Sequence, residues 1–305
     1  MNSVTPDLRP FFSPSSVAVV GAGERATSSG GAVFQNLRLS GYQGQMIPVN
    51  PKGGTVFGIP AVTSLTELSE PADLVVIVIR PDLIPGAVRE AGETGHKSVL
   101  ILPGGFAEAG ADGAARDQET RQIANQYGIT IAGPNCAGLI SLAPEFRFAA
   151  TFLRDMPPGP GQHGSVALIS QSGAIAEEAI DAANKQAIPL GAVVSVGNGM
   201  HLGIVEYLQH LGADESVSAI MLYIESIPDA PGFIRLCREV AARKPVVALY
   251  GGRTPPGAAA AEAHTGAVPS DDQTIETFLA DAGAVRVRSL RQLMLAAKGF
   301  GTFPR

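Results

Sequence analysis

The sequence predicts an α/β protein made of two doubly wound units, each a parallel sheet flanked by helices. Three observations carry this expectation. Short Val- and Ile-rich runs of strand length alternate with stretches whose apolar residues fall at helical spacing. Those runs are apolar almost throughout, as strands covered on both faces require. Finally, 305 residues exceed the usual size of one core, and a 45% hydrophobic content is enough to fill two. The 36 glycines and 23 prolines, set against only 16% charged residues, suit a chain with many tight βα and αβ turns.

The elements follow in order. SVAVVGAG, QMIPVNP, DLVVIVIRP, SVLILPGG and ITIAGPN read as strands of a first βαβ series that ends near Cys136. Between them, GGAVFQNLRLSGY, DLIPGAVREAGETG and ARDQETRQIANQYG read as crossover helices. The stretch RDMPPGPGQHG, 154–164, reads as a linker, because its prolines and glycines continue neither helix nor strand. A second series then supplies the strands SVALISQSG, GAVVSVGNG, SAIMLYIES, KPVVALYGG and AVRVRS. Its helices are AIAEEAIDAANKQ, GIVEYLQHLG, PGFIRLCREVAAR and DDQTIETFLADAG. The expected division is residues 1–150 and residues 151–305.

Composition excludes several classes of function. A net charge of -6 without a basic cluster argues against a nucleic-acid partner, since neutralising phosphates takes concentrated Lys and Arg. The N-terminal residues have no apolar signal region, and no run approaches the ~20 apolar residues of a membrane span. Cys136 and Cys237 make neither a disulfide framework nor a metal cluster, and no HxH or HExxH spacing occurs. The expectation is a cytoplasmic protein with no membrane association and no metal held by its own side chains.

The first glycine-rich turn, VAVVGAGERATSSGG, follows a strand and opens a helix, where main-chain N–H groups and the helix dipole can receive a phosphate. A dinucleotide is the first ligand to consider, but Ala26 stands where a GxGxxG pattern has its third glycine. An NAD site also places a carboxylate at the end of the second strand. Here that strand ends in Asn50, Pro51 and Lys52, and a lysine suits an extra phosphate better than a bare ribose. NADP and coenzyme A, with its 3′-phosphate, both fit; glycines that merely close a tight turn are the structural alternative.

The ordered motifs SVAVVGAG, PVNPK, GPNCAGLI, ISQSGA, SVGN, LYIES and AHTGA extend from Ser16 to about Lys298. In that order they resemble the CoA-binding and ligase portion of the NDP-forming acyl-CoA synthetases, the superfamily of the succinyl-CoA synthetase α subunit and the ADP-forming acetyl-CoA synthetases. The ADP-forming branch is the nearer resemblance, through AHTGA and LYIES. It implies an N-terminal Rossmann-like CoA-binding domain followed by a flavodoxin-like domain that carries a phosphohistidine loop. It also implies the chemistry: phosphate attacks acyl-CoA to give acyl phosphate and free CoA, and the phosphoryl group passes through a histidine to a nucleoside diphosphate.

Carried over residue by residue, the phosphorylated histidine is His264. The small residues around it leave space for phosphate oxygens and would let it travel between separate sites. Neutral imidazole is nucleophilic near pH 7. Glu225 resembles the family glutamate that accepts a hydrogen bond from the other ring nitrogen. Ser172, Gly173 and Ala174, at a predicted helix start, are phosphate-site candidates, and Asn198 is assigned to the same pocket. For CoA the pattern implies Gly21 and Gly23, then Asn50, Pro51 and Lys52, then Arg80 and Pro81. Pro103, Gly104 and Asn135 are expected near the thiol end. Arg80 departs from the small apolar residue common in the family, and is either a phosphate contact or simply exposed. Cys136 reads as a buried structural thiol. His96 and His210 lie at helix ends, His163 in the linker and His201 in a loop, and none has a reactive setting.

The resemblance further implies Mg-nucleotide bound by an ATP-grasp module, and nothing after Ser289 has room for one. The expected partners are therefore an ATP-grasp β subunit or fused domain, a small carboxylic acid or acyl-CoA, and an oligomeric assembly. Two other readings stay open: a non-catalytic CoA or acyl-CoA sensor, and an NADP-dependent reductase. The acyl group is not legible.

Overall fold

The computed structural model describes residues 6–25, 27–143, 146–153, 164–252 and 271–303. It divides into two compact units. The first comprises Met1–Ser141, Phe146–Arg154 and Asn198–Leu202; the second comprises Leu142–Glu145, Asp155–Gly197 and Gly203–Arg305.

In the first unit a short helix α1 (Arg9–Phe12) precedes β1 (Ser16–Val20), α2 (Ser29–Leu39) and β2 (Gln45–Val49). A small antiparallel pair, β3 (Thr55–Val56) and β4 (Ile59–Pro60), leads to β5 (Leu74–Ile77), α3 (Ile84–Glu93), β6 (Ser98–Ile101), α4 (Gly110–Tyr127) and β7 (Thr130–Ala132). The parallel sheet runs β2-β1-β5-β6-β7. All residues of β5 and β6 are buried, so their unbroken apolar runs reflect a sheet covered on both faces. Ala18, Val75, Ile77, Val99, Ile101, Phe106, Ile123 and Ile131 share one core cluster. Each fully buried Val, Ile or Phe contributes roughly 1.5–3 kcal/mol relative to exposure.

Two further strands, β8 (Gly138–Ala143) and β9 (Phe146–Thr151), neighbour each other. The sequence reading ended the first series near Cys136 and did not anticipate them. Long-range contacts hold them: the buried Asn36 amide donates to the carbonyls of Thr151 at 2.7 Å and Leu153 at 2.8 Å.

The second unit begins with β10 (Val166–Ser170), α5 (Gly173–Gln186), β11 (Leu190–Ser195) and α6 (Ile204–Ala213). It continues through β12 (Ala219–Ile224), α7 (Ala230–Ala241), β13 (Val246–Tyr250), α8 (Asp272–Asp281), β14 (Val285–Val287) and α9 (Leu290–Thr302). Its parallel strands run β14-β13-β12-β10-β11. The last helix, α9, was not foreseen; the others match their predicted segments closely. Of the predicted linker 154–164, residues 154–163 lie outside the described residues.

Both windings have one form. The first strand gains one neighbour, and then the chain crosses to its other side for the remaining strands. A crevice opens where the crossover direction reverses, at the carboxyl ends of β1 and β5 in the first unit and of β10 and β12 in the second. Gly21, Gly23, Arg80 and Pro81 lie at the first of these, and Ser172, Gly173, Ala174 and Glu225 at the second. Among the described residues, no helix is long and apolar enough to cross a membrane.

Candidate active site

In the first unit β1 gives way to Gly21, whose φ of 95° favours glycine. A Cβ there would overlap the Val78 carbonyl just beyond β5, while one at Gly30 would overlap the carbonyl of Gly21 itself. The start of α2 therefore lies directly against the turn. Ser28 caps that helix, its hydroxyl accepting from the Gly31 N–H at 3.2 Å. Gly23 differs: it has no positive φ, and a Cβ would meet nothing within 4 Å. The fold does not require glycine there, and the space in front of its main chain is open.

Asn50 ties the end of β2 to this turn. Its amide donates to the Ala22 carbonyl at 3.0 Å, and its Oδ1 accepts from the Lys52 N–H at 3.0 Å. That leaves Pro51 and Lys52 exposed beside the turn. Arg80 and Pro81 follow β5. The Arg80 guanidinium is largely exposed and pairs with Asp82 at 2.6 Å, which holds the Asp82 carboxyl below its ordinary range. Pro81 opens a one-turn 3-10 helix.

A third group of candidates gathers at the ends of β6 and β7. Gly133-Pro134 is a cis peptide, and Asn135 follows with φ 58°. The Asn135 N–H donates to the Pro103 carbonyl at 3.0 Å, and its side-chain amide donates to Asn198 Oδ1 at 3.2 Å. Asn198 in turn donates to Glu108 Oε2 at 2.6 Å. Glu108 Oε1 accepts from the N–H groups of Gly105 at 2.5 Å and Phe106 at 3.1 Å. Burial pushes the Glu108 carboxyl up, but the bonds from Asn198 and these main-chain N–H groups outweigh it and hold the group below its ordinary value. Asn198, assigned by sequence to the phosphate pocket, thus sits with Asn135 in the first unit. Sequence reading missed Glu108.

Cys136 is buried, its thiol pushed up to about 12 by burial, which suits a structural role. His96 is buried with Nδ1 beside Thr94 Oγ1 at 2.8 Å, and His201 Nδ1 accepts from the Ile131 N–H at 3.1 Å. Burial lowers the pKa of both.

In the second unit the turn between β10 and α5 consists of Gln171 and Ser172. Ser172 caps α5, its hydroxyl accepting from the Ile175 N–H at 3.3 Å. Gly173 and Ala174 then supply first-turn N–H groups, which have no acceptor within an α-helix and can hold an anion. Gln171 reaches across the switch point. Its Oε1 accepts from the N–H groups of Glu225 at 2.5 Å and Ser226 at 2.9 Å, and its Nε2 donates to the Ser226 carbonyl at 2.9 Å.

That clasp fixes the main chain carrying Glu225 beside the start of α5. Tyr223 is hydrogen-bonded to the Glu225 side chain; burial first, and then this carboxylate, push its phenol up to about 12. Just past the next strand, β13, Gly251 donates its N–H to the Ile224 carbonyl at 2.8 Å, and a Cβ at Gly251 would lie 2.6 Å from the Tyr223 hydroxyl. The chain therefore leaves β13 alongside Glu225, and the AHTGA segment follows in the sequence. His264 itself lies outside the described residues. Among those described, no group of three or more His, Cys, Asp or Glu is placed to hold a metal ion.

Comparison with known proteins supplies the family. Residues 15–141 match the CoA binding domain, and residues 163–300 match the succinyl-CoA ligase like flavodoxin domain. A 4-hydroxybutyrate–CoA ligase [ADP-forming] of Nitrosopumilus maritimus is 35% identical over 97% of this chain and 42% of its own length. The α subunit of acetate–CoA ligase [ADP-forming] I of Pyrococcus furiosus is 33% identical over 97% of this chain and 64% of its own. Among solved structures, the dinucleotide forming acetyl-coenzyme A synthetase 1 of Ca. Korarchaeum cryptofilum, in complex with phosphate and ADP, superposes with a TM-score of 0.90. It is 30% identical, covering 98% of this chain and 63% of that one. The chain thus spans less than two thirds of each of these relatives. A CoA-binding Rossmann-like part followed by a succinyl-CoA-ligase-like flavodoxin part, in this order and with this likeness, makes the chain a member of the NDP-forming acyl-CoA synthetase superfamily.

Proposed function

We propose that this chain is the α-type part of an NDP-forming acid–CoA ligase. The reaction interconverts acyl-CoA, phosphate and nucleoside diphosphate with acid, CoA and nucleoside triphosphate. The observation that carries the reading is the switch point of the second unit. There Gln171 clasps the main chain at Glu225 beside the start of α5, and the neighbouring strand leads to Gly251, ahead of His264 in the sequence.

In the first step a phosphate oxygen attacks the thioester carbonyl; the C–S bond breaks, acyl phosphate forms, and CoA leaves as the thiol. In the second, an imidazole nitrogen of His264 attacks phosphorus, and the acid leaves as carboxylate. In the third, the nucleoside diphosphate takes the phosphoryl group and His264 is regenerated. Glu225 accepts a hydrogen bond from the other ring nitrogen, stabilising the cationic imidazole that develops. Ser172, Gly173 and Ala174 offer a hydroxyl and helix-start N–H groups to the phosphate oxygens.

Residues 1–150 take CoA and residues 151–305 carry the phosphoryl chemistry. The open main chain at Gly23 fits the close approach of a pyrophosphate, Lys52 suits the 3′-phosphate, and Asn50 holds the two together. Arg80 and Pro81 border this crevice, and Pro103, Gly104 and Asn135 form the thiol end. Mg-nucleotide would bind on an ATP-grasp β subunit or fused domain within an oligomer, in the cytoplasm where CoA and nucleotides are available. Relatives named for acetate, 4-hydroxybutyrate and trans-feruloyl-CoA all match this segment, so a panel of acyl-CoAs is the proper probe.

The test is to incubate the purified chain with labelled phosphate and that panel, then map any acid-labile label. A label on His264, absent from His264→Asn, is expected with at least one acyl-CoA. Binding of CoA without any label, including with ATP, magnesium and host extract to supply a partner, would favour a CoA sensor.

A further inference from the structure

The relay Glu108–Asn198–Asn135 has a direction, set by elementary hydrogen-bond chemistry. An ionised carboxylate only accepts, so Asn198 must turn its Nδ2 toward Glu108 Oε2, 2.6 Å away. That leaves Asn198 Oδ1 facing Asn135, which must then donate with its own Nδ2, at 3.2 Å. The Asn135 side chain has one polar atom left, Oδ1, and its direction is settled by a carboxylate two residues away along the relay. Glu108 stays ionised because it also accepts from the Gly105 and Phe106 N–H groups. Asn135 cannot swing away as a whole, since its N–H is held by the Pro103 carbonyl at 3.0 Å.

The atom so presented lies over Gly104. A Cβ at Gly104 would be 2.8 Å from Asn135 Oδ1 and 3.0 Å from Glu108 Oε1. Its φ is not positive, so the backbone does not ask for glycine there; the close approach of these two oxygens does. The structure thus brings two oriented oxygens closer to the Gly104 main chain than any larger residue would allow.

We propose that Glu108 is a positioning residue that acts through Asn198 to fix Asn135 Oδ1 as an acceptor over Gly104, where it receives a donor from the pantetheine–thiol end of coenzyme A. This rests on the CoA reading of the first unit. The donor is a pantetheine amide N–H or the thiol itself, in keeping with the reading of Pro103, Gly104 and Asn135 as the thiol end.

The relay can be inverted without changing its shape. In Glu108→Gln the introduced amide keeps its oxygen toward the Gly105 and Phe106 N–H groups and turns its nitrogen toward Asn198. Asn198 then flips to accept, Asn135 flips to accept from Asn198, and Asn135 presents a donor instead of an acceptor. Adding Asn198→Asp restores the original direction. The carboxylate introduced there accepts from the side-chain amides on both sides of it, and Asn135 Oδ1 returns to its place.

The experiment is titration calorimetry of the purified chain with CoA and with adenosine 3′,5′-bisphosphate, which lacks pantetheine. Thermal melts of each variant accompany it. Glu108→Gln should weaken CoA about ten-fold, the effect of one hydrogen bond turned from favourable to unfavourable. The bisphosphate should bind within about two-fold of wild type, and Glu108→Gln/Asn198→Asp should regain most of the CoA affinity. Equal loss for both ligands, unchanged CoA binding in Glu108→Gln, or no recovery in the double variant would each overturn the relay. Failure of the wild-type chain to bind either ligand would overturn the CoA reading itself, and the relay with it.

Discussion

The two units wind their parallel strands in the same order, yet furnish the switch point in opposite ways. At the end of β1 the turn packs chiefly main chain against main chain, Gly21 beneath Val78 and Gly30 against Gly21, and the Asn50 amide ties its Ala22 carbonyl to β2. No side chain fits between, so a ligand there would meet N–H groups and the open surface at Gly23. At the end of β10 the turn is closed by a side chain, Gln171, which spans to β12 and brings Glu225 beside a capped helix start. One fold thus offers a surface suited to holding a large anion and a setting suited to exchanging a small one. The difference lies in two or three residues per turn.

Breaking the first turn should have the largest effect. Gly21→Ala both loses the φ that glycine tolerates and drives a methyl into the Val78 carbonyl, costing about 3 kcal/mol or more of stability, read as a fall in urea midpoint. Gly23→Ala, two residues on, should leave that midpoint unchanged and weaken CoA instead. Equal destabilisation by both would remove the distinction between a glycine needed by the fold and one needed by a ligand.

The second turn is tested next by Gln171→Ala. It removes the Gln171 acceptor from the Glu225 and Ser226 N–H groups and should cost about 2 kcal/mol. Phosphorylation of His264 should fall further than the loss of folded protein accounts for. A smaller effect, about 1 kcal/mol, is expected for Ser172→Ala through loss of the α5 cap.

Acidity separates the units more gently. His96 and His201 are held neutral by burial in the first unit, with folded pKa values below the ordinary 6.5. Their contribution is therefore fully present above pH 6.5 and is lost as pH falls from there through the depressed folded values, because the unfolded chain takes up protons first. Urea midpoints should fall on mild acidification, and less so in His96→Gln. A wild-type midpoint indifferent to pH across that window would contradict the assignment.

Much of this architecture was legible because parallel strands announce themselves: VAV, LVVI, VLI and VALI are buried on both faces and read as continuous apolar runs. The strands β8 and β9 were not, since what holds them includes the amide of Asn36, more than a hundred residues earlier. Likewise Ser172 is readable as a cap from its place before a helical pattern, whereas Glu108 is not readable at all. Its partner Asn198 is ninety residues away, and neither residue carries a local signal of the other. Gln171 lies in a motif that was read for its serine and glycine; its clasp on Glu225 and Ser226 needed the β10–β12 pairing to be seen. Local chemistry writes turns and caps into sequence, and pairings across a sheet only into structure.

The central claim is that the first switch point holds CoA while the second exchanges phosphate, and crossing Gly23→Ala with Glu225→Gln tests it most directly. For each variant, CoA affinity by calorimetry and phosphoryl label on His264 at saturating acyl-CoA would be measured side by side. The account predicts a clean separation: Gly23→Ala loses CoA affinity but is labelled once saturated, and Glu225→Gln binds CoA normally but is labelled poorly. Loss of both properties in both variants, or a fully labelled Glu225→Gln, would contradict it.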